Sequence, residues 1–305
     1  MDKELKFAIL IDADNISEKY IKIILDETAK SGVATYKRIY GDWTNPQLNS
    51  WKNVLLDNSI IPIQQYGYTT GKNSTDSAMI IDAMDILYSG TVDGFCIASS
   101  DSDFTRLAAR LRESGMHVIG MGESKTPKPF ISACNQFKYL DILLSNLQEE
   151  EAADAPDTES EPAAEADKLE TPVSRKGRTA AKKAGSSVSK LKSESSVLSA
   201  ASASSSSRLK KKGPEPQTNL KMIKKAILSL VEECSDDDGW IFSAELGNQL
   251  AKRFPDFDVR NFGFSKFTPF INSLDLFEVK RNQASSNSNV QLVYFKIKEP
   301  AKKRP

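Results

Sequence analysis

Four aspartates in the first third of the chain, Asp12, Asp76, Asp101 and Asp103, have the types and positions to do chemistry. Asp12 ends the apolar run FAILIDADN (residues 7–15), and Asp101 and Asp103 end GFCIASSDSDF (residues 94–104). Both segments read as buried strands entering polar turns, and the carboxyl ends of parallel strands are where open α/β sheets bind ligands. Gathering such carboxylates is costly: two unit charges about 4 Å apart repel by roughly 4 kcal/mol at an effective dielectric near 20. A divalent cation offsets that repulsion. Carboxylate oxygens suit Mg²⁺ or Mn²⁺, and such ions polarise phosphoryl oxygens and acidify an attacking water.

Helix capping accounts for Asp14, Asp76 or Asp103 taken singly, since Asp is a preferred capping residue. It does not account for Asp12 and Asp101, which gain nothing as caps so near strand ends. A phosphatase with a nucleophilic aspartate in a strand-end DxD, as in the haloacid dehalogenases, is a rival reading. LIDADN offers Asp12 and Asp14, but Ile16 stands where that family has Thr or Val, and Thr75 and Lys72 do not fit its later motifs. The only histidine, His117, lies in the probable strand MHVIGMG. It reads as a sheet residue, which disfavours a Ser-His-Asp triad or a multi-histidine metal site.

The elements that must position these residues alternate between strand and helix. Strands are expected at residues 5–11, 33–40, 60–65, 92–98 and 116–121. Helices are expected at 17–30 (capped by Ser17), 46–57, 75–88 and 103–113, with short helical pieces at 127–132 and 140–147. This order predicts a parallel sheet with helices on both faces. Asp12 and Asp101 then sit at strand tips facing one crevice, Asp103 at a helix start just beyond, and Asp76 at the start of the helix that follows Lys72. Asp82 and Asp85, further along that helix, read as ordinary solvated or helix-packing carboxylates.

The chain has 305 residues, a soft prior for two domains, and 41 basic against 41 acidic residues. The distribution is uneven: residues 148–170 hold ten acidic residues and one basic, and residues 171–213 hold eleven basic and one acidic. The Ser-, Ala- and Pro-rich stretch 149–217 reads as a disordered linker. Residues 218–298 form a smaller unit of three helices followed by a strand hairpin, the layout of a winged helix-turn-helix, and 299–305 are a basic tail. Three cysteines without CxxC spacing disfavour a disulfide framework or a zinc site. No apolar run approaches the roughly 18 residues of a membrane span, and the N-terminus is too acidic for a signal peptide. A soluble cytoplasmic protein is expected.

FAILIDADNI, KRIYGDW, GKNSTDSAMIIDAMDIL, IASSDSDFTRLAARLRESGMHVIGMG and FISACNQFKYL together resemble the NYN domain, a PIN-like nuclease fold of LabA-like proteins. The resemblance covers residues 5–147 of a domain expected at 1–148. It implies that Asp12, Asp76, Asp101 and Asp103 are the metal-binding catalytic set for Mg²⁺ or Mn²⁺. Asn15 would hold the geometry around Asp12, with Ser99 and Lys72 as supporting positions, and the substrate would be single-stranded or structured RNA. The segment WIFSAELGNQLAKRFPDFDVRNFGFSKFTPFINSLDLFEVKR resembles the OST-HTH or LOTUS domain. That resemblance implies RNA binding, including G-rich RNA, and a protein partner. Lys252, Arg253, Arg260, Lys266, Lys280 and Arg281 are the candidate phosphate contacts there, whereas the phenylalanines have core spacing. A metal-dependent ribonuclease is the reading that unites both halves; a non-catalytic RNA-binding regulator is the alternative.

Overall fold

The computed structural model describes residues 4–66, 74–153, 215–283 and 291–298. Most of the expected linker, the basic tail and Lys72 lie outside the described residues.

Strand β1 (Lys6–Asp12) is buried from Phe7 onward, as a strand covered on both faces must be. Its side chains alternate between two cores. Phe7, Ile9 and Ile11 pack with helix α1 (Ile21–Ala29), Trp51 of α2 (Trp51–Asp57) and Leu140 and Leu143 of α6 (Leu140–Ala153). Ala8 and Leu10 pack on the opposite face, against α3 (Ser74–Ser89), α4 (Thr105–Glu113) and α5 (Lys128–Ala133). The remaining strands are β2 (Val33–Gly41), β3 (Ile61–Gln64), β4 (Gly94–Ala98), β5 (His117–Gly122) and β6 (Gln136–Tyr139). All six are parallel, in the order β3-β2-β1-β4-β5-β6. The chain leaves β1 toward β2 and returns on its other side at β4, so the topological switch point lies between the carboxyl ends of β1 and β4.

The expected α/β architecture is therefore present, with several local differences. Strand β6 has no counterpart among the expected elements: only four residues long, it shows too brief an alternation to separate it from a turn. Ser17 precedes a 3-10 turn (Glu18–Tyr20) but makes no capping bond, because its hydroxyl donates to Glu18. Helix α2 begins at Trp51, after a separate 3-10 turn capped by Asn45. Helix α6 continues to Ala153, past the boundary expected at residue 148, through a run of strong helix formers.

The C-terminal unit contains α7 (Leu220–Cys234), β7 (Ile241–Phe242), α8 (Ser243–Arg253), α9 (Phe267–Ser273), β8 (Phe277–Gln283) and β9 (Gln291–Ile297). Its antiparallel sheet has the order β7-β9-β8, and the two-residue β7 adds a strand that the sequence does not announce. The core joins Ile223, Ile227, Leu246, Leu250, Phe270 and Phe295. Phe270 also makes close ring contacts with Phe257, Phe262 and Phe264, so these aromatics are packed rather than offered for stacking.

The two domains are joined by a polar clamp. Strand β6 is the edge of the large sheet, and its Phe137 amide donates to the carbonyl of Pro255 at 2.7 Å, which covers a strand edge that would otherwise invite pairing. Tyr139 donates to Asp256 (3.0 Å) and Lys138 to Asp258 (2.8 Å). Arg260 makes a two-pronged bond to the buried Glu27 (2.7 and 2.8 Å) and also holds Asp258. Burial opposes the ionised form of Glu27, yet Arg260, Lys30 and Lys138 hold its carboxyl down at about 2. Gly263, which ends the Arg260 turn at φ +79°, occupies the left-handed region open to glycine.

Candidate metal centre

Asp12 closes β1 fully buried. Its Oδ2 accepts hydrogen bonds from Ser99 Oγ (2.7 Å) and Asn15 Nδ2 (2.8 Å), and its Oδ1 accepts the Asp14 amide (3.1 Å). Burial raises its pKa, opposed by the Ser99 and Asn15 bonds. Ser99 stands one residue past the Ile11–Ala98 pair of β1 and β4, and it also accepts the Asp101 amide at 3.0 Å. One hydroxyl thus fastens the tip of β1 to the turn after β4. Asp101 then caps the following 3-10 turn by accepting the Asp103 amide at 2.9 Å. Contrary to the expectation that Asp101 gains nothing as a cap so near a strand end, it does cap this turn, because the chain turns helical immediately after it. It joins the acidic cluster as well.

Asp76 enters from above in the first turn of α3. That helix is pinned to β2 through Asp82, which accepts from both Arg38 and Tyr40; Asp82 is a helix-packing carboxylate, and Asp85 is exposed. Asp76, Asp101 and Asp103 each offer a carboxylate oxygen, and these oxygens lie within 4.8 Å of one another. Asp12 is not in that tightest group but adjoins it. The Asp76 carboxyl is pushed up to about 6 by burial, and then by the charges of Asp12, Asp101, Asp103 and Asp14. A set of hard oxygen donors that disfavour one another's charge fits Mg²⁺ or Mn²⁺ better than softer metals.

Gly122, at the end of β5, lets the backbone close behind this site. A Cβ there would meet the Ser99 carbonyl oxygen and Thr126 Oγ1, both at 2.6 Å. No other residue fits without moving the Ser99 backbone that fixes Asp12.

One consequence concerns stability. In full-length protein free of divalent ions at pH 8, Asp76→Asn relieves part of the repulsion. After allowance for solvent screening the gain is about 1 kcal/mol, or roughly 3 °C in melting temperature. Adding Mn²⁺ is expected to reverse the order, because wild type would gain more from an ion held there. Differential scanning fluorimetry with and without Mn²⁺ checks both statements; a melting temperature lowered by the substitution in EDTA would contradict the first.

Of the other expected site residues, Arg253, Lys266, Lys280 and Arg281 are exposed on the C-terminal domain. Lys280 lies over the Trp240 ring, 5.6 Å from its centroid. Arg260 is instead engaged by Glu27 and Asp258 in the domain clamp. A basic residue in a turn carries no sequence sign of a partner 233 residues away. The clamp residues Glu27, Lys138, Tyr139 and Asp256 were not singled out by the sequence reading. The one available signal was the FPDFD segment, two of whose aspartates turn inward.

No helix among the described residues is long and apolar enough to cross a membrane. No curated protein matches the chain. Among solved structures, a Vibrio parahaemolyticus protein of unknown function aligns at 20% identity over 46% of this chain and 96% of its own, with a TM-score of 0.40. An uncharacterised Nitrosomonas europaea protein, solved by solution NMR, aligns at 32% identity over 32% of this chain and 90% of its own, with a TM-score of 0.24. The NYN domain family matches residues 6–141, and the OST-HTH/LOTUS domain family matches residues 218–288. The chain thus carries an NYN domain followed by an OST-HTH/LOTUS domain, a pairing that gives it an RNA-related nuclease or binding role.

Proposed function

We propose that the protein is a metal-dependent ribonuclease that hydrolyses RNA phosphodiester bonds by direct attack of water. The observation that carries this reading is the convergence of Asp76, Asp101 and Asp103 at the switch point of the sheet. These three carboxylates would hold Mg²⁺ or Mn²⁺, with Asp12 completing the acidic set. When bound, the ion supplies charge for the phosphoryl oxygens and a more acidic attacking water. Ser99 and Asn15 keep Asp12 in one orientation, and the N-terminal turn of α3 carries Asp76 over the sheet edge.

The phosphatase reading needs Asp12 as a nucleophile with an accessible oxygen. Full burial, with hydrogen bonds on both oxygens, disfavours it. Asp12 is better suited to positioning. Arg253, Lys266, Lys280 and Arg281 would contact phosphates, Lys72 would support the acidic set, and the C-terminal domain would deliver RNA, G-rich RNA included, or a protein partner.

The test is cleavage of end-labelled RNA by purified full-length protein in Mg²⁺, in Mn²⁺ and in EDTA. Cleavage in either ion that EDTA abolishes is expected. Tight RNA binding with no cleavage in either ion would favour the regulator reading, and hydrolysis undiminished in EDTA would remove the metal from the account.

A further inference from the structure

Between the two domains, bordering the clamp at Gln136 and Pro255, lies a cleft of about 610 Å³. Its walls include Arg112, His117 and Asn135 of the first domain and Asn248, Lys252 and Arg253 of α8. No Asp or Glu is among its lining residues, in contrast to the clamp, where Glu27 meets Arg260 and Asp258 meets Lys138. Among the described residues Arg112 donates through Nη1 alone, to the carbonyls of Ser132 (3.3 Å) and Ala133 (3.2 Å). Those bonds steady the guanidinium and leave the Nε and Nη2 hydrogens for a ligand. Lys252 and Arg253 are exposed in the last turn of α8.

Basic residues in last helical turns also offset the helix dipole. That role explains their place on α4 and α8 but not why two domains close around them with no carboxylate among the described lining residues. One helix runs from the acidic cluster to the cleft. Helix α4 begins two residues after Asp103 and has Arg112 in its last turn. Its nine residues span about 14 Å, so a strand lying along the domain can occupy both places.

We propose that this interdomain cleft binds the phosphodiester backbone of the single-stranded RNA whose neighbouring segment enters the acidic cluster. The proposal rests on the ribonuclease reading above. It assigns Arg112, Lys252 and Arg253 to phosphate contacts and makes the RNA track a joint product of both domains.

The test uses full-length Asp101→Asn protein, so that RNA survives, and fluorescence anisotropy with a labelled single-stranded RNA. The RNA is about 20 nucleotides long, more than the ~4–16 that one small module covers. Adding Arg112→Ala, Lys252→Ala and Arg253→Ala is expected to weaken binding about 10- to 100-fold at low salt. The salt slope should fall by about 2, given roughly 0.7 per phosphate on a single strand. A charge-matched control, Lys52→Ala, Lys221→Ala and Lys225→Ala at exposed positions, is expected to change affinity by less than about threefold, because none of its sites lies in the cleft. Unchanged affinity in the cleft variant, or an equal loss in the control, would overturn the proposal while leaving the ribonuclease reading intact. A parent protein that binds no RNA at either salt would sink both.

Discussion

Replacing Asp101 with Asn is expected to lower the proposed RNA cleavage by about 10³-fold while leaving the fold in place. Asp101 would help hold the ion whose charge offsets the developing phosphoryl charge, and losing stabilisation of that kind costs a factor of this order. The fold survives because Asn caps helical turns about as well as Asp. The bond that Asp101 Oδ1 accepts from the Asp103 amide needs only an amide or carboxylate oxygen. Single-turnover rates in Mn²⁺, with melting temperature and RNA affinity measured beside them, separate charge from structure. Loss of rate with unchanged affinity and stability is expected. A rate within threefold of wild type would place the cleavage elsewhere.

Arg260→Ala undoes the union of the two domains. Glu27 is buried, and Arg260 supplies both of its close guanidinium bonds; Lys138 is 3.8 Å away and Lys30 is largely exposed. Breaking a buried pair by removing one partner costs about 3–5 kcal/mol, because the remaining charge is left uncompensated. The retained lysines put this case near the lower end, about 3 kcal/mol. The first consequence is exposure of the β6 edge. Hydrogen exchange at the Phe137 amide, now bonded to Pro255, should accelerate strongly in the variant. Exchange as slow as in wild type would show that the clamp contributes little.

The same pair makes docking sensitive to acid. Burial works against the Glu27 carboxylate, but Arg260 and its other partners bring its folded value to about 2 from an ordinary 4.5. A depressed carboxyl contributes stability that is fully present above pH 4.5 and is lost as pH falls through 2. Asp258, also held low against its burial by Arg260 and Lys138, acts in the same direction. Wild-type docking should therefore weaken between about pH 4.5 and 2, and Arg260→Ala should flatten that dependence.

The acidic centre was legible because it is built from local patterns. An apolar run ending in Asp marks a strand tip, and two such runs in a strand–helix alternation meet at the switch point. Asp76 was legible in the same way, as a carboxylate at a helix start. The finer division was not. Burial of Asp12, and the Ser99 hydroxyl that ties it to Asp101, depend on the register of β1 against β4, which no single segment specifies. Nor could the sequence separate Arg260 from Lys266: both are basic residues near turns, but one faces Glu27 and the other faces solvent. Strands β6 and β7 were hidden by their length, since two to four residues carry too little alternation to stand out. The clamp is a long-range pattern of charge, and its two halves are separated by the whole linker.

The most direct measurement is cleavage mapping on total RNA, comparing wild-type protein with the Asp12→Asn, Asp101→Asn double variant in Mn²⁺. Wild type is expected to generate new RNA ends that accumulate with time and vanish in EDTA, and the double variant to generate none above the protein-free control. The same ends appearing at the same rate with the double variant would contradict the assignment of RNA hydrolysis to the acidic centre.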